Sequence, residues 1–191
     1  MRLEDYLIEV QMGTVSNIET LFNLALKHIF KADYLRKIYN TISRTVKIIQ
    51  VHEKNQNIIA WNRGSTIYIN KAAFGELVLS KKLKYLLHEF MHVMQNLKRF
   101  FLFRGFKEIH DLTLDLDDIV QNSLVKSFEE FLTGRKVNIG RGGKYEILAY
   151  LMSGSIHWDA ITPEGKEKFI KTLEGYDIFN LESPWWKQRL S

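Results

Sequence analysis

Two histidines and a glutamate stand close together in the run Tyr85-Leu-Leu-His88-Glu89-Phe-Met-His92-Val-Met-Gln95, which has the form His-Glu-x-x-His. On a helix, residues four apart share a face, so the imidazoles of His88 and His92 can reach a single divalent metal. Glu89 lies beside that face, where it can take a proton from a water polarised by the metal. Residues of these types at this spacing point to zinc-assisted hydrolysis of a peptide bond. The chain has no cysteine, so thiolate zinc sites, thiol catalysis and disulfide scaffolds are excluded. Any metal must be held by histidines and carboxylates.

A catalytic zinc takes three protein ligands and leaves one position for water. The two histidines therefore need a partner, and the candidates downstream are His110, Glu129, Glu130, Glu146 and His157. Helical register says where that partner must come from. At 100° per residue, Leu83, Leu86, Phe90, Val93, Met94 and Leu97 gather on one side, while His88 and His92 lie nearly opposite with Tyr85 and Gln95. The pair is expected to face a cleft or water, not the core of its own helix.

The elements that must position this helix can be read along the chain. Ser16-Asn-Ile-Glu19 has the form of a capping box, followed by apolar residues at helical spacing through Ile42, as one helix or as two joined near Lys31 to Asp33. The stretches Thr45 to Val51, Ile58 to Trp61 and Ser65 to Asn70 read as a small sheet, with a turn at Asn62-Arg-Gly64. The last of these strands is expected to offer an open edge to an extended peptide. Ser80 is the expected cap of the metal helix, about 80–98. A helix from about Asp117 to Leu132 should carry acidic residues at its start and also contains Glu129 and Glu130. Gly134 to Lys144 lacks the Gly-Lys-Ser/Thr ending of a phosphate-binding loop and reads as a connector or lid. Helices from Tyr145 and from Pro163 follow, and the aromatic Trp185 and Trp186 are expected to pack back. The class implied is α+β, in one domain spanning 1–191: a helical part about 14–42, a sheet about 45–70, the metal helix, and a helical part about 113–191.

Length and composition agree with this organisation. The 191 residues suffice for a core, and 46% hydrophobic with 26% charged residues is ordinary globular usage. A formal charge of +5, from 27 basic and 22 acidic residues, is too small to argue for nucleic acid, and no nucleic-acid partner is expected. Acidic residues interrupt the first ten positions where a signal peptide needs an apolar run, and no stretch is long enough to span a bilayer. A cytoplasmic protein with a peptide or protein substrate is the expectation.

His88-Glu89-Phe-Met-His92-Val-Met-Gln95, together with Tyr145-Glu146-Ile-Leu-Ala149-Tyr150, resembles the zincin superfamily of metallopeptidases, in particular small phage and bacterial gluzincin-like members. The resemblance covers the motif helix and the later glutamate helix. It implies a zincin-like fold, a small sheet packed on the metal-binding helix with further helices across a cleft, and Zn2+ as cofactor. It also implies His88, His92 and Glu146 as ligands, with Glu129 or Glu130 as alternatives to Glu146, and Glu89 as general base. Tyr150 stands where many gluzincins carry an acidic residue, four after the ligand. Tyr150 and His157 are the candidates for a second group at the oxyanion. The alternative is a non-catalytic zincin-like binding or regulatory module, whose metal is structural or absent.

Overall fold

The computed structural model describes residues 17–96, 104–125, 143–153, 158–176 and 178–180. Among them the chain runs α1 (Ile18–Ile29), α2 (Ala32–Thr45), β1 (Lys47–Val51), β2 (Ala60–Arg63), β3 (Thr66–Asn70), α3 (Lys71–Gly75), α4 (Leu79–Asn96), α5 (Arg104–Asn122), α6 (Gly143–Ser153), a 3-10 turn (Trp158–Ala160) and α7 (Pro163–Tyr176). Helices with one small mixed sheet are the expected α+β arrangement. The expectations placed on Ser16, on the glycine-rich stretch before Gly143, and on Trp185 and Trp186 lie outside the described residues.

Asn17 is the residue that caps α1. Its side-chain oxygen accepts the backbone N–H of Glu19 at 2.9 Å, satisfying one of the donors a helix start leaves open. The helical rhythm that continues to Ile42 is broken at Phe30. There the backbone turns extended and pairs antiparallel with Phe179, Lys31 N–H donates to the Ile178 carbonyl at 2.9 Å, and Asn180 N–H donates to the Ile29 carbonyl at 2.8 Å. A segment distant in sequence thus supplies the hydrogen bonds that the helix forgoes, and two helices result.

The sheet has the order β1-β3-β2, with β3 parallel to β1 and antiparallel to β2. A tight turn joins β2 to β3, with Gly64 at φ 62°, a left-handed backbone that favours glycine. Ile67 and Ile69 are buried in the core, and the cross-strand partners Trp61 and Tyr68 stack with ring centroids 5.3 Å apart. Each isoleucine contributes about 1.5–3 kcal/mol by burial. The expectation that the strand ending at Asn70 offers an open edge is overturned. The hairpin brings β2 to one side of β3 and β1 runs along the other, so β3 is central and the free edges among the described residues belong to β1 and β2. Fully buried Asn70 closes the end of the sheet. Its side-chain amide donates to the carbonyls of Ile58 at 3.0 Å and of Glu53 and Asn55 at 3.4 Å, tying down the preceding loop.

α4 begins at Leu79, so Ser80 sits inside its first turn and is not its cap. β2 and β3 pack on this helix from one side, α1 and α6 from others. Phe90 meets Phe22 of α1 and also Phe30 edge-on, at 5.3 and 6.2 Å between ring centroids. The next helix also departs from expectation: α5 spans Arg104–Asn122, earlier than the predicted start at Asp117. Ile109, Leu112, Leu116 and Val120, spaced three and four apart, are all buried, and Glu108, Asp115 and Asp118 are exposed on the other side. Asp115 and Asp118 thus belong to the outer face of an amphipathic helix and not to its N-terminal turn, while Asp117 lies on the buried side. No helix among the described residues is long and apolar enough to cross a membrane.

α5 and α7 approach closely at Gly165. A Cβ built there would lie 2.2 Å from the Cβ and 2.4 Å from the Oγ of Ser123, and 2.9 Å from Cγ2 of Ile161. Gly165→Ala should therefore destabilise the fold by about 1–3 kcal/mol, despite the better helix propensity of alanine. A lowered urea midpoint at unchanged slope would register this, and an unchanged or raised midpoint would contradict the close packing.

Candidate metal centre

α6 is apolar on most sides. Ile147, Leu148, Ala149, Leu151 and Met152 are buried, and the helix lies across α4 with Glu146 in its first turn. This packing brings Glu146 to the two histidines. Its Oε2 is 3.2 Å from Nε2 of His88, its Oε1 is 3.2 Å from Nε2 of His92, and the two Nε2 atoms are 3.1 Å apart. The ligand atoms of all three residues lie within 4.8 Å of one another. Two imidazole nitrogens and a carboxylate crowd together this closely only with a proton or a metal ion between them. Two nitrogens and one oxygen form a donor set suited to zinc and to other first-row divalent metals. His88, His92 and Glu146 could hold a metal ion, and this donor set does not single out one metal.

Of the candidate partners among the described residues, His110 and Glu146, it is Glu146 that reaches the histidine pair. His110 is on α5, buried, with Nδ1 3.2 Å from the backbone carbonyl of Met94, and takes no part in the group. Glu129, Glu130 and His157 lie outside the described residues. α6 lies over part of the histidine face, and its inner end is closed off. His92 is 8% exposed and Gln95 7%. The His88 and Glu146 side chains, 13% and 31% exposed, keep the outer end of this face partly open to solvent. Tyr150, one turn beyond Glu146, lays its ring against His88 at 4.7 Å between centroids, tilted by 44°.

Glu89 is 6% exposed, and burial pushes its carboxyl up from the ordinary 4.5 against the opposing pull of the two histidines. For His92, burial disfavours the charged ring, but hydrogen bonding and charge from Glu146, with help from Glu89 and Gln95, raise it above 6.5. For Glu146, burial works upward and is outweighed by the hydrogen bonds and charges of His88 and His92, which hold the carboxyl far below its usual range.

Two further residues join the site from behind. Gln95 Oε1 is 2.8 Å from Nδ1 of His92, and Gln95 Nε2 donates to both carboxylate oxygens of Asp117, at 3.0 and 3.1 Å, and to the carbonyl of Tyr145 at 2.9 Å. Sequence reasoning placed Gln95 on the histidine face but read Asp117 as a helix-start acid. The signal was present: with α5 drawn from Ile109, Asp117 falls one turn after Thr113, inside the buried arc.

Comparison with protein-family models, with curated proteins and with solved structures finds no match for this chain. The chemistry is therefore argued from the geometry of the group itself.

Two outcomes follow for metal and pH. Glu146→Gln should lose metal affinity by at least about tenfold, measured by competition with a chromophoric chelator, and unchanged affinity would remove Glu146 from the ligand set. Without metal, the raised His92 contributes stability that is full below its unfolded value near 6.5 and lost as pH rises through its folded value; the raised Glu89 acts likewise from 4.5 upward. The depressed Glu146 contributes stability present above 4.5 and lost as pH falls toward its folded value. The metal-free protein should then be most stable in weakly acidic solution and weaken toward alkaline pH. Metal binding needs a neutral imidazole, so added metal should stabilise more as pH rises over the same range. Thermal unfolding with and without chelator across pH 4–9 reads both slopes, and parallel curves would contradict this.

Proposed function

We propose that this chain is a zinc-dependent peptidase of zincin type, in which His88, His92 and Glu146 hold the metal and Glu89 is the general base. The observation that carries the reading is the meeting of Glu146, from a helix far along the chain, with both imidazoles, each carboxylate oxygen 3.2 Å from one Nε2. Three protein ligands leave room for a fourth, as catalytic zinc requires, whereas a structural site more often closes with a further protein ligand. Zinc held there would supply Lewis-acid activation of a water and of the scissile carbonyl.

The remaining work falls to the protein. Glu89 is next to His88 on α4 and nearly excluded from solvent, and burial raises its proton affinity toward the range in which a carboxylate can both take and return a proton. It accepts the proton of the attacking water and delivers it to the leaving amine. Tyr150, with its ring against His88, is the group we assign to the developing oxyanion. An extended peptide would add to the free edge of β2, which packs on α4, and not to the central β3.

Metal analysis paired with cleavage of a mixed peptide library tests this. Glu89→Gln should keep its metal and lose about 10²–10⁴-fold in kcat, and Tyr150→Phe about 10²-fold. Equal activity in Glu89→Gln would sink the mechanism. Full zinc occupancy in the wild type without cleavage of any peptide would favour a non-catalytic binding module.

A further inference from the structure

We infer that Gln95 is a positioning residue that sets the tautomer of His92 and the placement of Glu146 together, with Asp117 holding its amide in the required sense; this rests on the metal-centre reading of His88, His92 and Glu146. The orientation of a buried amide is decided by its neighbours. A carboxylate and a backbone carbonyl can only accept, and both lie on one end of the Gln95 amide: Asp117 at 3.0 and 3.1 Å and the Tyr145 carbonyl at 2.9 Å. The NH2 must face them, since the reverse orientation would press the amide oxygen onto three acceptor atoms. Oε1 is then left facing Nδ1 of His92 at 2.8 Å, and an oxygen that can only accept requires a proton on that nitrogen. The Nδ1–H tautomer follows, and Nε2, the atom turned toward Glu146 and His88, is the one left to take a metal.

The same amide also acts on the second helix. Tyr145 immediately precedes Glu146, so the bond to its carbonyl fixes the start of α6 relative to α4 at the point where the third ligand emerges. Gln95 is on α4, Asp117 on α5 and Tyr145 on α6, so one side chain ties together three helices around two of the ligands. The charge of Asp117 polarises the amide and strengthens its oxygen as an acceptor, passing a negative field to His92 without placing a carboxylate on the ring.

Nitrogen-15 NMR of the zinc-loaded wild type should show the His92 proton on Nδ1, and a proton on Nε2 would overturn the inference without any variant. Gln95→Met keeps length and volume but removes the amide. It should weaken zinc binding about 10–100-fold with helix content unchanged and with the slowly exchanging Nδ1 proton signal lost. Asp117→Asn retains an acceptor but not the charge and should lose less. The double variant should bind zinc no more weakly than Gln95→Met alone, because both act through one amide. Wild-type zinc uptake with equal affinity in Gln95→Met, or additive losses in the double variant, would overturn the inference alone. No zinc uptake by the wild type would overturn the metal-centre reading, and this inference with it.

Discussion

The packing of α6 across α4 is the constraint on which the site depends. It places a partly exposed carboxylate against two imidazoles that are largely withdrawn from water, and groups so crowded need a proton or a cation between them. The apolar surface of α6 drives the approach, and Glu146 is carried in with it. The site is thus a by-product of hydrophobic burial, tuned by the polar groups the burial happens to enclose. The sheet and α1 then cover other sides of α4 and leave its histidine side for α6.

Much of the site was legible because its strongest signal is local. Four-residue spacing puts His88 and His92 on one face wherever that run is helical, and register alone sets Gln95 beside them. Glu146 is different. Nothing in the sequence ranks one downstream carboxylate above another except the resemblance of the segment around it, because the choice is made by how two helices cross. Asp117 escaped for a related reason: misplacing the start of α5 turned a residue of the buried arc into a surface acid. Tyr150, named from the sequence as an oxyanion candidate, has its ring against His88, a contact of which the resemblance gave no hint.

The fold shows the same division. The helices of the chain followed their apolar rhythm, and the three strands lay close to where β-branched residues alternate. What pattern could not supply was adjacency. The strand from Thr66 to Asn70 looks like an edge when read alone, and becomes central only because β1 returns parallel to it while β2 pairs on its other side. Its full burial at Ile67, Ile69 and Asn70 is the mark of that position. The sequence left open one helix or two joined near Lys31 to Asp33, and the groups that decide for a break into two come from residues 178–180.

That break has a consequence for how the protein is made. Phe30 lies against Phe90 of α4, against Tyr34, and in a stacked pair with Phe179, ring centroids 5.7 Å apart. The junction of α1 and α2 therefore gains its Phe179 partner only once residues 178–180 have left the ribosome. Contacts of such long sequence separation close slowly, and until they do the apolar flank of Phe30 has no aromatic cover on that side. During synthesis α1 and α2 emerge before the segment that locks their junction, and the full enclosure of α4 waits for it.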